Sequence, residues 1–292
     1  MHSLYGLQEM GFSFELKGGT SLSKGFEIIN RFSEDIDIRI EPPSELGVNP
    51  NPKSTKQNQI FGRKAFYDWL ARNIHIDGLV SVGRDHAFDD ERYYRSGGIR
   101  LHYPIQTDSL ADIKAVVLLE VGFDDVTPNI PKKISSWAYD FANDKVEIVD
   151  NRALNVDRYH PGYTFVEKLQ TISTKFRKQQ EDGSFPVNFM RHYYDVYCLL
   201  EVPEVKAFIG TDKYHAHKEK RFPIADNQIL KENEAFVLND SATYDLLKSA
   251  YRRSESLYYR EQPDFDELHA CSEKCGHESG NIVKRERCAI TI

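Results

Sequence analysis

Three stretches of this chain carry residue types that could do chemistry together. Asp35 and Asp37 lie one residue apart in "RFSEDIDI". Gly18-Gly19-Thr20 stands upstream in "LKGGTSLSKGF", and a lone acid, Glu120, interrupts the apolar run "AVVLLEVGF". Side chains two apart on a strand share a face, so the two aspartates would stand roughly 7 Å apart and repel. A divalent cation removes that repulsion, and carboxylate oxygens suit Mg²⁺, which is commonly shared with substrate phosphates. Paired glycines after a strand let backbone approach a ligand, and the first amides of a following helix suit phosphate oxygens. An acid in so apolar a strand is costly unless it is paired or bound to metal. That makes Glu120 the natural third carboxylate for two-metal phosphoryl chemistry. Each feature taken singly has a plainer reading. The glycines could form a simple tight turn, and Asp-x-Asp a wet strand face neutralised by Arg31, Arg39 and water. Glu120 could be a strand-end salt bridge, and Asp112, Asp124 and Asp125 compete with it beside the same strand.

The elements that must position these groups follow from periodicity. "FSFEL" reads as a strand running into the glycines, and Leu22, Phe26 and Ile29 then form an apolar stripe that predicts a helix ending near Asn30. A strand starts around Asp35, with Ile36, Ile38 and Ile40 facing the core and Arg39 on the carboxylate face. Glu34, on the opposite pleat from Asp35, reads as surface. The segment 41–59 is a long exposed loop rich in Pro, Asn, Ser and Lys. "IFGRKAFYDWLARNI" turns helical, with Phe61, Ala65, Trp69 and Arg72 at spacings of three and four. Residues 98–105, 115–123 and 146–151 read as strands. Past about residue 155 the pattern becomes helical, with Phe165, Leu169, Ile172 and Phe176 on one stripe. The expected architecture is therefore α+β: a mixed-sheet domain over 1–154, a mainly helical domain over 155–292, and a loose tail from about 268.

Bulk properties remove some function classes. With 292 residues and a net charge of −7, the chain as a whole is not a strongly basic nucleic-acid binder, although a local basic patch is compatible with that balance. Sixteen Tyr and 17 Phe argue against a disordered chain. No apolar run reaches the roughly 18 residues that span a bilayer. The first residues carry no basic n-region or long apolar h-region, so no signal peptide is expected. The four cysteines are then expected to be reduced thiols in a cytosol. Cys271, Cys275, His277 and Cys288 form either a zinc set of weak spacing or a polar tail.

The residues "LKGGTSLSK" and "RFSEDIDI", with Glu120 as a lone acid on an apolar strand, resemble the AbiEii-type toxins. These include the MenT group and fall within the DNA polymerase β-like nucleotidyltransferase superfamily. Downstream, "FVEKLQTISTKFRK" and "RHYYDVYCLL" are similar to that family's later helical Lys and Asp, here Lys168 and Asp195. The likeness spans roughly residues 14–200. It departs at His192, where many relatives carry Asp. It departs also before the first motif, where only 16 residues stand and relatives usually have further helices.

The resemblance implies transfer of a nucleoside monophosphate from an NTP, with pyrophosphate leaving. In that scheme Asp35, Asp37 and Glu120 hold Mg²⁺ or Mn²⁺, and Gly18, Gly19, Thr20 and Ser33 contact phosphates. Lys168 neutralises the triphosphate, Asp195 orients Lys168 or an acceptor hydroxyl, and Arg191, one turn before Asp195, reaches phosphate or acceptor. The basic cluster Lys175, Arg177 and Lys178 is either a solvated face or a contact for an RNA backbone. The implied partners are an NTP, a tRNA acceptor and a cognate antitoxin of a type IV system, with no membrane and a cytoplasmic location. Two other readings are an enzyme of the same fold acting on a protein or small molecule, and a nucleotide-binding module without turnover.

Overall fold

The computed structural model describes residue 4 and residues 11–33, 35–104, 116–185 and 188–275, with side chains to 270. Glu34, Asp112, His277 and Cys288, and the side chains of Cys271 and Cys275, lie outside the described residues. The chain divides into two compact units, Met1–His160 and Pro161–Ile292.

The first unit is built on a mixed seven-stranded sheet in the order β3-β4-β5-β2-β1-β7-β6. Its strands are β1 (Ser13–Lys17), β2 (Asp35–Glu41), β3 (Ser81–Asp85), β4 (Ser96–His102), β5 (Val116–Gly122), β6 (Asn129–Ile134) and β7 (Ala153–Tyr159). Period-two alternation decides which residues enter the core. Phe14 faces Ile40 and Leu16 faces Ile38 across β1 and β2, while Ile36 and Ile38 face Leu119 and Val121 across β2 and β5. Helix α2 (Gln57–Asn73) adds Phe66, Tyr67 and Leu70 to the same buried cluster. Each such side chain contributes about 1.5–3 kcal/mol when fully buried. The opposite sheet face carries the charges. There Arg39 lies between Glu15 and Glu41, at 2.9 Å and 2.6 Å.

Several local expectations are corrected. The helix after the glycines is short: a turn over Gly18–Thr20 continues as a π-helix over Ser21–Gly25, together α1. It stops because the Phe26 and Ile28 amides donate back to the Ser21 and Leu22 carbonyls and Glu27 turns left-handed, at φ 59°. Leu22 and Ile29 are buried nonetheless. Helix α2 forms as expected, but its buried stripe is Ile60, Arg63, Phe66, Tyr67, Leu70 and Ala71. Phe61, Ala65 and Arg72 face solvent. An arginine occupies the middle of that stripe because its guanidinium donates to the carbonyls of Ser54 and Tyr93. That pairing is invisible to a hydropathy pattern. Residues 146–151 form no strand, and Val146 and Val149 are exposed. The sheet instead takes β3 and β6, whose short, charged sequences carry little alternation.

In the second unit the regular elements among the described residues are helices, joined by turns and loops. Helix α4 (Pro161–Asp182) buries Phe165, Leu169, Ile172 and Phe176, and packs against α5 (Arg191–Leu200). The shorter α6 (Pro203–Phe208) and α7 (Asp212–Arg221) follow. The stretch after residue 233 forms two helices, α8 (Glu234–Val237) and α9 (Ser241–Arg253). They are split by left-handed Leu238, and the Asp240 carboxylate caps α9 by accepting from the Thr243 amide at 2.7 Å. Helix α10 (Phe265–Cys275) is the last described element. No described helix is long and apolar enough to cross a membrane.

Candidate active site

Strand pairing creates the first unit's site. β1 runs antiparallel to β2 and sets Lys17 opposite Asp37. β5 runs parallel to β2 and sets Glu120 opposite Asp37 on the other side. A row Lys17, Asp37, Glu120 thus crosses three adjacent strands on one face, and Asp35 lies two residues before Asp37 on that face. Asp124 and Asp125 lie beyond the end of β5, and their side chains accept from the next turn's amides. Glu120 is therefore the acid that stands beside Asp37.

The glycine turn is pressed against this row. Gly18 has a left-handed φ of 65°, and a Cβ there would overlap the Asp37 carboxylate. Gly18 is required twice over, by conformation and by space. A Cβ on Gly19 would stand 2.8 Å from Ser33 Oγ and 3.1 Å from the Arg31 guanidinium. Thr20 and Ser33 hold each other at 3.0 Å, and the Thr20 hydroxyl donates to the Asp35 carbonyl. These two hydroxyls lock the turn onto the start of β2. Arg31 is 2 % exposed, and one of its N–H groups donates to the Phe32 carbonyl at 2.8 Å. A buried cation therefore lies beside the turn.

Electrostatics mark the row as strained. The Glu120 carboxyl is pushed up to about 8, first by burial, then by the charge of Asp37 and a hydrogen bond with it, with Asp35 adding to the rise. Lys17 pulls in the opposite direction and does not compensate. Two acids that share a hydrogen bond cannot both be ionised cheaply. Among the described residues no group of three His, Cys, Asp or Glu side chains stands ready to hold a metal ion. The close pair is Asp37 and Glu120, which face each other across β2 and β5 within hydrogen-bonding reach. The donor set still fits a hard cation, because the groups are carboxylate oxygens on one sheet face, where positive charge would relieve the repulsion that raises the Glu120 carboxyl. Asp35, Asp37 and Glu120 are the residues that could hold Mg²⁺ or Mn²⁺.

The second unit brings a different pair together. Lys168 on α4 donates to Asp195 on α5 at 2.8 Å, and Asp195 is fully buried. Arg191 opens α5 one turn before Asp195. One rung further along, Lys175 Nζ meets His192 Nε2 at 3.0 Å. Arg177 pairs with buried Asp226 at 2.6 Å and with Glu181 at 2.9 Å. Of the basic cluster, Arg177 and Lys175 thus make contacts inside the unit, and Lys178 is exposed.

Two groups near the first unit's site, Lys17 and Arg31, stand within the quoted motifs but are not among the candidate site residues read from them. Lys17 could have been found by parity, since an antiparallel return from β1 sets the residue before the glycines against the second aspartate. Arg31 carries no such signal, because burial of an arginine depends on which carbonyls surround it.

Comparison with known proteins bears on the whole chain. No curated protein matches it. A family model described as "Nucleotidyl transferase AbiEii toxin, Type IV TA system" matches residues 4–271. A turn that tolerates only glycine, set against a carboxylate row on a mixed sheet, is accompanied by a match over nearly the full length, and the chain belongs to the AbiEii nucleotidyltransferase toxin family.

Proposed function

We propose that this protein transfers a nucleoside monophosphate from an NTP to the 3′ end of a tRNA, with Mg²⁺ or Mn²⁺ as cofactor, as the toxin of a type IV pair. Family membership supports a nucleotidyltransferase and implies an NTP substrate and a cognate antitoxin. The single observation that carries the metal-dependent reading is the Asp37–Glu120 pair, in which the burial of Glu120 and the charge of Asp37 beside it push the Glu120 carboxyl up to about 8. When bound, the metal would supply charge neutralisation on the triphosphate and lower the pKa of the attacking hydroxyl.

The residues of the chain do the rest. Gly18 and Gly19 leave room for phosphate oxygens to approach backbone amides. Thr20 and Ser33 hold that turn at a fixed distance from Asp35. Asp37 and Glu120 would hold a bound cation as carboxylates, with Asp35 beside them on the same strand face. Lys168 supplies positive charge to the triphosphate, Asp195 orients its ammonium, and Arg191 contacts phosphate or acceptor; these three roles rest on the family pattern. The cytoplasm is the proposed location, where such an acceptor is found.

The test incubates the protein with tRNA, Mg²⁺ and each labelled NTP in turn. Label on the tRNA 3′ end with at least one NTP, lost on chelation, is expected. Absence of label with all four would sink the tRNA reading, and label on a protein or a metabolite would replace it with another acceptor.

A further inference from the structure

We infer that the face of α3 (Trp137–Ala142) is a stacking platform for the single-stranded end of a nucleic-acid acceptor, with Trp137 and Phe141 as successive base rests. This rests on the proposed RNA acceptor and goes beyond it by naming the surface.

Trp137 is 55 % exposed and Phe141 71 % exposed, so neither is a core residue. They stand four apart on one helix and share a face, about 6 Å apart along the axis. Each ring carries an ammonium. Lys24 Nζ lies 3.9 Å from the Trp137 ring centre, and Lys145 Nζ lies 3.1 Å from that of Phe141. Exposed aromatics paired with cations are the recurring surface of single-strand binders, where rings stack bases and cations meet the backbone. The platform is joined to the glycine turn at two points. Lys24 belongs to α1, the helix that begins at Gly18. The Phe32 ring meets Trp137 edge-on at 6.4 Å, and Phe32 directly precedes Ser33, whose Oγ a Cβ on Gly19 would crowd.

Charge argues for stacking as the main contribution. The segment 137–152 holds Asp140, Asp144, Glu147 and Asp150 against Lys145 and Arg152, a net charge of −2, so it offers phosphates no positive field of its own. Binding here should therefore depend only shallowly on salt, unlike phosphate-dominated binding.

The chain has two tryptophans, and the other, Trp69, packs against Phe12 and Phe66, which also stack on each other. Fluorescence of the full-length protein, with Trp137→Phe as the subtraction, therefore isolates Trp137. The expected result is quenching by a short single-stranded RNA and little by the same RNA in a blunt duplex. Trp137→Ala should weaken single-strand binding about 5- to 150-fold, the range of one lost base stack, while Trp137→Phe keeps most of it. In the transfer assay Trp137→Ala should raise KM for the RNA and leave KM for the NTP unchanged. Three outcomes overturn the platform: no quenching by RNA, quenching by a mononucleotide but not by RNA, or unchanged RNA affinity in Trp137→Ala. Quenching by RNA in a protein that labels no RNA would instead sink the proposed function and leave the platform standing.

Discussion

The first unit sets a half-buried acid, Glu120, in its sheet and the second a fully buried one, Asp195, between helices, and the two are satisfied in opposite ways. In the second unit Asp195 is fully buried with the Lys168 ammonium at 2.8 Å, so its counter-charge is part of the chain. In the first, Glu120 is set beside another acid, and Lys17 across the row does not offset the burial and repulsion that push its carboxyl up to about 8. Burying an unpaired charge costs several kcal/mol, so the first arrangement favours the neutral form of Glu120. The difference is instructive. A site that satisfies itself reads as positioning, and a site that leaves a charge demand open reads as a place for an external cation.

The comparison can be broken from either side. The largest effect is expected from Asp37→Ala, which removes one member of the carboxylate pair. Transfer, measured by labelled NTP incorporation, should fall by at least about 10²-fold, the scale of losing a transition-state charge stabiliser. The fold should remain, as judged by an unchanged circular dichroism spectrum. Asp195→Ala should act mainly on stability, costing about 3–5 kcal/mol in denaturant unfolding, because it strands Lys168 without its counter-charge. If Asp195→Ala proved neutral for stability while Asp37→Ala unfolded the chain, the assignment of the two sites would be reversed.

A subtler contrast lies in pH. The native state keeps a proton on Glu120 that the unfolded chain releases above about 4.5. Unfolded chains therefore bind fewer protons between that value and about 8, and stability should fall as pH rises through this window. The fall is expected to be a few kcal/mol, since each pH step of one across the window is worth about 1.4 kcal/mol. Glu120→Gln should flatten the profile of Tm against pH, and millimolar Mg²⁺ should flatten it for the unaltered protein. A profile that stays steep in Glu120→Gln would assign the fall to another group. The smallest effect is expected from Arg39→Ala. Arg39 shares the carboxylate face but is tied to Glu15 and Glu41, so its loss should cost about 1–2 kcal/mol of stability and leave Mg²⁺ dependence unchanged.

Much of the site is legible in the sequence because the chemistry is local. The glycine pair, the Asp-x-Asp alternation and the lone acid of β5 each show in a few residues, and parity says which side chains share a face. The helical second half is equally legible, since Phe165, Leu169, Ile172 and Phe176 repeat at one helical period. Sequence and structure part where local pattern and long-range environment disagree. The buried stripe of α2 lies one position away from the apolar spacing because Arg63 counts as polar until Ser54 and Tyr93 offer their carbonyls. Residues 146–151 alternate like a strand, yet β7 forms later in the chain, where Ala153, Val156 and Tyr159 are the residues buried. The helix after Gly19 is shorter than its apolar spacing implies, because that spacing does not reveal that Glu27 turns left-handed.

By itself the sequence determined the α+β order, and it supplied the candidate carboxylates and the glycine pair beside them. Tertiary structure decided which strand lies next to which. The parallel pairing of β2 with β5 puts Glu120 against Asp37, and the antiparallel return of β1 brings Lys17 to the same row. The physical reason is range. Periodicity follows from neighbouring dihedral angles, whereas sheet order and register follow from the packing of segments far apart in the chain, and the charge demand of this site exists only once those segments meet.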